Sequence, residues 1–146
     1  MKRVQVPVSE FTSEELELVD VNTSIIEVYK MMKDKGIRHL PVVDGDKAVG
    51  IISDRDVRFC SHMDGAAYLT AREIMTPDPI AVSMHSPLGR VAYEMSNRKL
   101  GSVLVFDDKG ALYGIFTTTD ALNALVEIFS ETFPLDLDSK EESIFL

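Results

Sequence analysis

The feature that most constrains this chain is an internal repeat. The stretch MKDKGIRHLPVVD, residues 32–44, overlays MSNRKLGSVLVFD, residues 95–107. Met32 falls on Met95, Val42 on Val105 and Asp44 on Asp107, each 63 positions apart. One residue is then inserted in a turn. Gly50-Ile51-Ile52-Ser53-Asp54-Arg55-Asp56 overlays Gly114-Ile115-Phe116-Thr117-Thr118-Thr119-Asp120 at a spacing of 64. A unit of roughly 60 residues is marginal by itself. The two copies are therefore expected to pack on each other about a pseudo-two-fold axis, with a cleft between them.

Each copy carries the same pattern. Thr23 or Ser86-Pro87 opens a helix, and proline suits a first helical position. Ile25, Val28, Met31 and Met32, or Leu88, Val91, Ala92 and Met95, then recur at helical spacing. An apolar strand follows, Leu40 to Val43 or Val103 to Phe106. A turn rich in Asp and Gly leads into a second strand, Ala48 to Ile52 or Ala111 to Phe116. A helix then begins at Ser53 or Thr117. The outline is β-α-β-β-α twice, an α/β (α+β) fold rather than a helical bundle.

The expected organisation is a flanking segment over 1–17, a first repeat over 18–64, a linker and lead-in over 65–79, a second repeat over 80–130 and an acidic tail over 131–146. In the flank, Thr12-Ser13-Glu14-Glu15 fits a capping box and predicts a short helix from Ser13 to Val19. Ala71 to Pro79 contains two prolines and reads as extended. Leu18-Val19-Asp20 lacks the Met-Thr-Pro lead-in seen at Met75-Thr76-Pro77.

Charge excludes one class of partner. The net charge is −9, yet residues 21–130 hold 12 Lys and Arg against 14 Asp and Glu, so most of the excess lies in the flanks. The core is near neutral and can accept an anion, but no basic stripe exists to displace counterions from nucleic acid. No apolar run approaches the roughly 20 residues that span a bilayer. Met1-Lys2-Arg3 is followed by Gln5, Pro7, Ser9 and Glu10, which is not a secretory signal. Cys60 is the one cysteine. A cytoplasmic location is expected.

The chemistry concentrates in the doubled unit Gly50…Ser53…Asp56 and Gly114…Thr117…Asp120. One reading is a helix cap, in which Ser or Thr caps and the acid three residues on answers it. The other uses the same atoms for a ligand. The helix N-terminus offers N–H groups to an anion, and the carboxylate can accept two ribose hydroxyls, as acids do in dinucleotide folds. Two copies, each placed just after an apolar strand, favour a site.

These residues carry a resemblance. From about Leu18 to Phe129 the chain is similar to a tandem pair of CBS (cystathionine-beta-synthase) domains, a Bateman module. The likeness rests on Gly36-Ile37-Arg38-His39-Leu40-Pro41-Val42-Val43-Asp44, Ile74-Met75-Thr76-Pro77 and the two Gly…Ser/Thr-x-x-Asp units. It implies a regulatory module, needing no cofactor, that binds AMP, ADP, ATP or S-adenosylmethionine as an effector. Asp56 and Asp120 would hold ribose hydroxyls, and Ser53 and Thr117 would contact ribose or phosphate. Ile37, Arg38 and His39, and Leu100, Gly101 and Ser102, would meet base and phosphates, with Thr23 or Ser86 near the base. By the pseudo-two-fold, Thr117 and Asp120 are expected to face Thr23, Ile37, Arg38 and His39. Ser53 and Asp56 are expected to face Ser86, Leu100, Gly101 and Ser102. Arg55, where the second copy has Thr119, gives the clefts different cation supplies. The Arg38/His39 cleft is expected to take a phosphorylated ligand. The family also implies a homodimer formed through its helices and an effector protein elsewhere.

Other chemistry is weak. Cys60-Ser61-His62 lacks an orienting third group. His39, His62 and His85 have no metal-ligand spacing. No base, metal cluster or phosphate-cradling glycine loop supports an enzyme. The alternative is a ligand-free interaction module, in which both Ser/Thr-x-x-Asp units serve only as caps.

Overall fold

The structure is a computed structural model, and it describes residues 5–13 and 15–134. The first half contains β1 (Val19–Asp20), α1 (Ile25–Lys35), β2 (His39–Asp44), β3 (Lys47–Ser53) and α2 (Asp54–Ser61). A short helix α3 (Ala71–Ile74) and strand β4 (Thr76–Pro77) come next. The second half contains β5 (Ala81–Ser83), α4 (Leu88–Arg98), β6 (Ser102–Phe106), β7 (Leu112–Thr117) and α5 (Thr118–Thr132). The repeated β-α-β-β-α outline is what the spacing predicts.

The two sheets share one plan. In the first, β1 is parallel to β2, β2 antiparallel to β3 and β3 antiparallel to β4. In the second, β5 is parallel to β6, which is antiparallel to β7. Even the irregularities match: the register slips at Val42/Val43 and at Val105/Phe106. Alternation decides what each strand buries. Leu40 and Val42 face the first core, and Val103 and Val105 face the second. Pro41 and Leu104, the equivalent residues between them, are fully buried but belong to neither core. They lie on the opposite sheet face, where β2 meets β7 of the other half.

The lead-in of the first repeat lies earlier in the chain than Leu18, and it packs on the second half. The Val8 N–H donates to the Ser86 carbonyl, as Ala71 donates to Thr23. Leu88 donates to Val6 as Ile25 donates to Leu69, and Ser9 to Met84 as Arg72 to Val21. Ser13 bridges Ile115 as Thr76 pairs with Ile51. Val8 is fully buried in the second core. Residues 6–13 thus do for the second half what α3 and β4 do for the first. Gly50 and Gly114 permit it. A Cβ on Gly50 would meet the Thr76 carbonyl oxygen at 2.9 Å, and one on Gly114 the Ser13 carbonyl oxygen at 2.6 Å.

Several local expectations are corrected. Among the described residues from Ser13 to Val19 none is helical; Val8–Phe11 forms a 3-10 turn, and β1 already holds Val19. The Thr12 hydroxyl donates to the Val8 carbonyl at 2.9 Å instead of capping a following helix, and Ser13 is held extended by its bridge. Residues 71–74 are helical rather than extended, because Thr70 and Glu73 close a cap whose N–H···O bond is 2.7 Å. Ser24, not Thr23, caps α1, and Pro87 is itself the cap of α4 with Leu88 first in the helix. The acidic tail beyond 134 lies outside the described residues. Among the described residues no helix is long and apolar enough to cross a membrane.

Candidate functional site

The two Ser/Thr-x-x-Asp units sit where a strand turns directly into a helix. The Ser53 N–H donates to Asp56 Oδ2 at 2.9 Å, and the Asp56 N–H donates to Ser53 Oγ at 3.2 Å. In the second half the Thr117 N–H donates to Asp120 Oδ2 at 2.7 Å and the Asp120 N–H to Thr117 Oγ1 at 3.3 Å; the Thr117 hydroxyl also donates to Oδ2, at 2.9 Å. Both capping boxes are closed. Each uses one carboxylate oxygen, and the other has no partner among the described residues. A carboxylate has about four acceptor positions, so Asp56 and Asp120 keep capacity for a ligand hydroxyl.

A cavity of about 1300 Å³ opens between the halves. On one side stand Ser53, Arg55 and Asp56 at the start of α2; on the other stand Leu100, Gly101 and Ser102 at the opening of β6. The expected facing of these two groups is thus present in one cleft. Arg38 and His39 line the same cleft. They are brought there because the Asp54 N–H donates to the Arg38 carbonyl at 2.8 Å, tying the start of β2 to the start of α2. The Thr118 N–H donates to the Gly101 carbonyl in the same way, at 3.1 Å. Arg38 and Arg55, expected to serve separate clefts, therefore belong to one.

Thr23, Ile37, Ser86, Thr117, Thr119 and Asp120 do not line this cavity. Thr23 and Ser86 use their carbonyls to hold the lead-in segments. Ile37 packs against the first core. Thr117 and Asp120 sit at the α5 cap, and Thr119 is exposed. Sequence reasoning missed Lys99, Asp78, Pro79 and Ile80, which also line the cleft. Their signal was position: Lys99 immediately precedes Leu100, and Asp78 to Ile80 lead straight into β5.

His39 lies where the halves touch. Its Nε2 is 3.2 Å from the point a Gly101 Cβ would occupy, so a side chain at 101 would press on the imidazole. Burial holds the His39 pKa below its usual value, and Arg38 adds to that. The carboxylates of Asp54 and Asp56 on α2, and of Asp120 on α5, oppose it. The acids of both repeats thus act on this one ring.

Residues 8–62 and 71–127 each match the CBS domain family. The chain belongs to the CBS domain family. The two matches begin at Val8 and Ala71, the residues that the structure makes equivalent. A CBS domain-containing protein of Dictyostelium discoideum is 27% identical over 143 residues, covering 90% of this chain and 99% of that protein. The inosine-5'-monophosphate dehydrogenase of Korarchaeum cryptofilum is 33% identical over 102 residues, 70% of this chain but 21% of the enzyme. The chain spans about a fifth of that relative. Among solved structures, CBSX2 in complex with AMP superposes with a TM-score of 0.73 at 25% identity, covering 84% of this chain and 98% of that one. The CBS domain pair of protein MJ0100, in complex with 5'-methylthioadenosine and S-adenosyl-L-methionine, also has a TM-score of 0.73, at 30% identity. It covers 88% of this chain and 98% of that one. The protein is a CBS pair, a Bateman module.

Proposed function

We propose that this CBS pair is a non-catalytic regulatory module that senses an adenosine-containing ligand, AMP, ADP, ATP or S-adenosylmethionine, in the cleft between its halves. The observation that carries this reading is the open carboxylate oxygen of Asp56, set beside Ser53 and facing Leu100, Gly101 and Ser102 across a large cavity. The similar CBS pairs with AMP and with S-adenosyl-L-methionine support it. Asp56 would accept ribose hydroxyls, Ser53 would meet ribose or phosphate, and the backbone at 100–102 would read the base. A second ligand position at Thr117 and Asp120 belongs to the same proposal. Ligand closure across the cleft would bias how the halves pack, and an effector protein would read that change. Exposed apolar side chains on the helices, among them Phe59, Leu122, Leu125 and Phe129, support a homodimer. The proposed setting is the cytoplasm.

The closed capping boxes favour one second reading, a ligand-free interaction module. Calorimetric titration with AMP, ATP and S-adenosylmethionine separates the two. Saturable binding that Asp56→Asn weakens supports the sensor. Folded protein that binds none of the three supports the interaction module.

A further inference from the structure

The cleft gathers positive charge from both halves. Arg38 and Arg55 both line it, and the Asp54 N–H to Arg38 carbonyl bond ties the start of β2, next to Arg38, to the start of α2. Lys99 reaches the same cavity from the C-terminal cap of α4, two residues before the Gly101 that His39 packs against. Among the described residues none of these three cations has an ion-pair partner. The carboxylates of the cleft are partly committed. Asp54 pairs with Arg58 at 3.1 Å, and Asp56 is engaged by the Ser53 N–H. Among the described residues Asp78 and Asp56 have no ion-pair partner, and Asp56 keeps one oxygen open. The cleft therefore presents three cations without an ion-pair partner against two such carboxylates, Asp56, whose free oxygen the ribose reading uses, and Asp78.

That imbalance discriminates between adenosine ligands. Each added phosphate brings more negative charge, which a guanidinium can grip with two parallel hydrogen bonds and an ammonium can meet as a point charge. S-adenosylmethionine carries a sulfonium and an ammonium against one carboxylate, so it is repelled by the same three groups. The cavity, at about 1300 Å³, exceeds the roughly 300–1000 Å³ of ordinary small-molecule sites. It has room for a phosphate chain beyond the nucleoside. Resting on the reading of this cleft as an adenosine-ligand site, we propose that Arg38, Arg55 and Lys99 select the ligand by phosphate charge, so that the cleft takes a nucleoside di- or triphosphate over the monophosphate and rejects the sulfonium ligand.

The test is calorimetric titration of the full chain with ATP, ADP, AMP and S-adenosylmethionine at low and high salt. ATP and ADP should bind more tightly than AMP, S-adenosylmethionine weakest of all, and the gap should narrow as salt rises. Two variants sharpen it. Lys99 has φ 55°, so Lys99→Gly removes the ammonium from a backbone that glycine adopts without strain. Arg55 is exposed, so Arg55→Gln removes a charge without opening a core. Each should weaken ATP binding by about tenfold and adenosine binding little. Equal loss for ATP and adenosine, or S-adenosylmethionine binding as tightly as ATP, overturns the charge selection while leaving the site intact. Absence of binding by every adenosine ligand overturns the site reading, and this inference falls with it.

Discussion

The two halves of this CBS pair are the same scaffold with different edges. Strand order, register slips, capping boxes and lead-in hydrogen bonds recur at spacings of 63 or 64 residues. The differences lie around the cleft. Arg38-His39 stands opposite Gly101-Ser102 in the comparison, Arg55 opposite Thr119, and the αL cap Gly36 opposite Lys99. Shared positions are those that bury apolar surface or close a backbone hydrogen bond, where both copies obey the same physics. Positions that differ face solvent or the other half, where nothing in the scaffold dictates the side chain. Duplication supplies the architecture, and divergence at the rim supplies a cleft in which cations outnumber carboxylates.

The comparison can be broken first in the cores. Phe116 and Ile52 are equivalent and fully buried. Phe116→Ala should cost about 4 kcal/mol and Ile52→Ala about 3 kcal/mol. Chemical denaturation should show a single transition in both, because the lead-ins tie each half to the other; separate transitions would show that the halves unfold independently. The glycines under the lead-ins come next. Gly114→Ala brings a Cβ to 2.6 Å from the Ser13 carbonyl oxygen, whereas in Gly50→Ala the nearest atom is the Met75 sulfur, in a flexible side chain, and the Thr76 carbonyl oxygen stands farther off at 2.9 Å. Gly114→Ala should cost about 2 kcal/mol and Gly50→Ala less, and equal losses in melting temperature would contradict the difference.

Smaller effects sharpen the comparison. Asp56→Ala and Asp120→Ala each remove an answering cap acid and should cost about 1 kcal/mol. Titration with ATP should then show the Asp56 variant losing binding in the described cleft, an asymmetry that stability alone does not produce. At the αL caps, Lys99→Gly should stabilise by up to about 1 kcal/mol and Gly36→Ala destabilise by a similar amount, read as opposite shifts in thermal midpoint. The smallest effect is pH dependence. The His39 pKa in the folded protein is below the ordinary value of 6.5. As pH falls through 6.5 and below, the unfolded chain takes up the proton first, so stability declines in that window. His39→Gln should flatten that decline, and an unchanged pH profile would show that the ring's surroundings do not oppose its charging.

The repeat, the outline of each copy and the Ser/Thr-x-x-Asp units were all legible, because they depend on local periodicity and capping that neighbouring residues specify. The lead-in was not. Nothing in Val6 to Ser13 taken alone shows that it pairs with Ser86, Leu88 and Ile115, and the local capping signal at Thr12 pointed to a helix that the long-range pairing overrides. Arg38 and Arg55 were both visible as candidate cations. Their meeting in one cleft depends on the Asp54–Arg38 bond, which no spacing rule contains. Lys99 belongs to no motif, and only its place beside Leu100 brings it to the cleft.

The sequence by itself determined a duplicated α/β unit, its apolar strands, its two closed caps and the residue types available for binding. Only the tertiary structure decided that Val6 to Ser13 complete the second half, and that cations from both halves line one cavity with Asp56. The reason is physical. Caps and periodicity are settled within a few residues, whereas the composition of a cleft is settled by which sheet faces are driven together to bury Pro41 and Leu104.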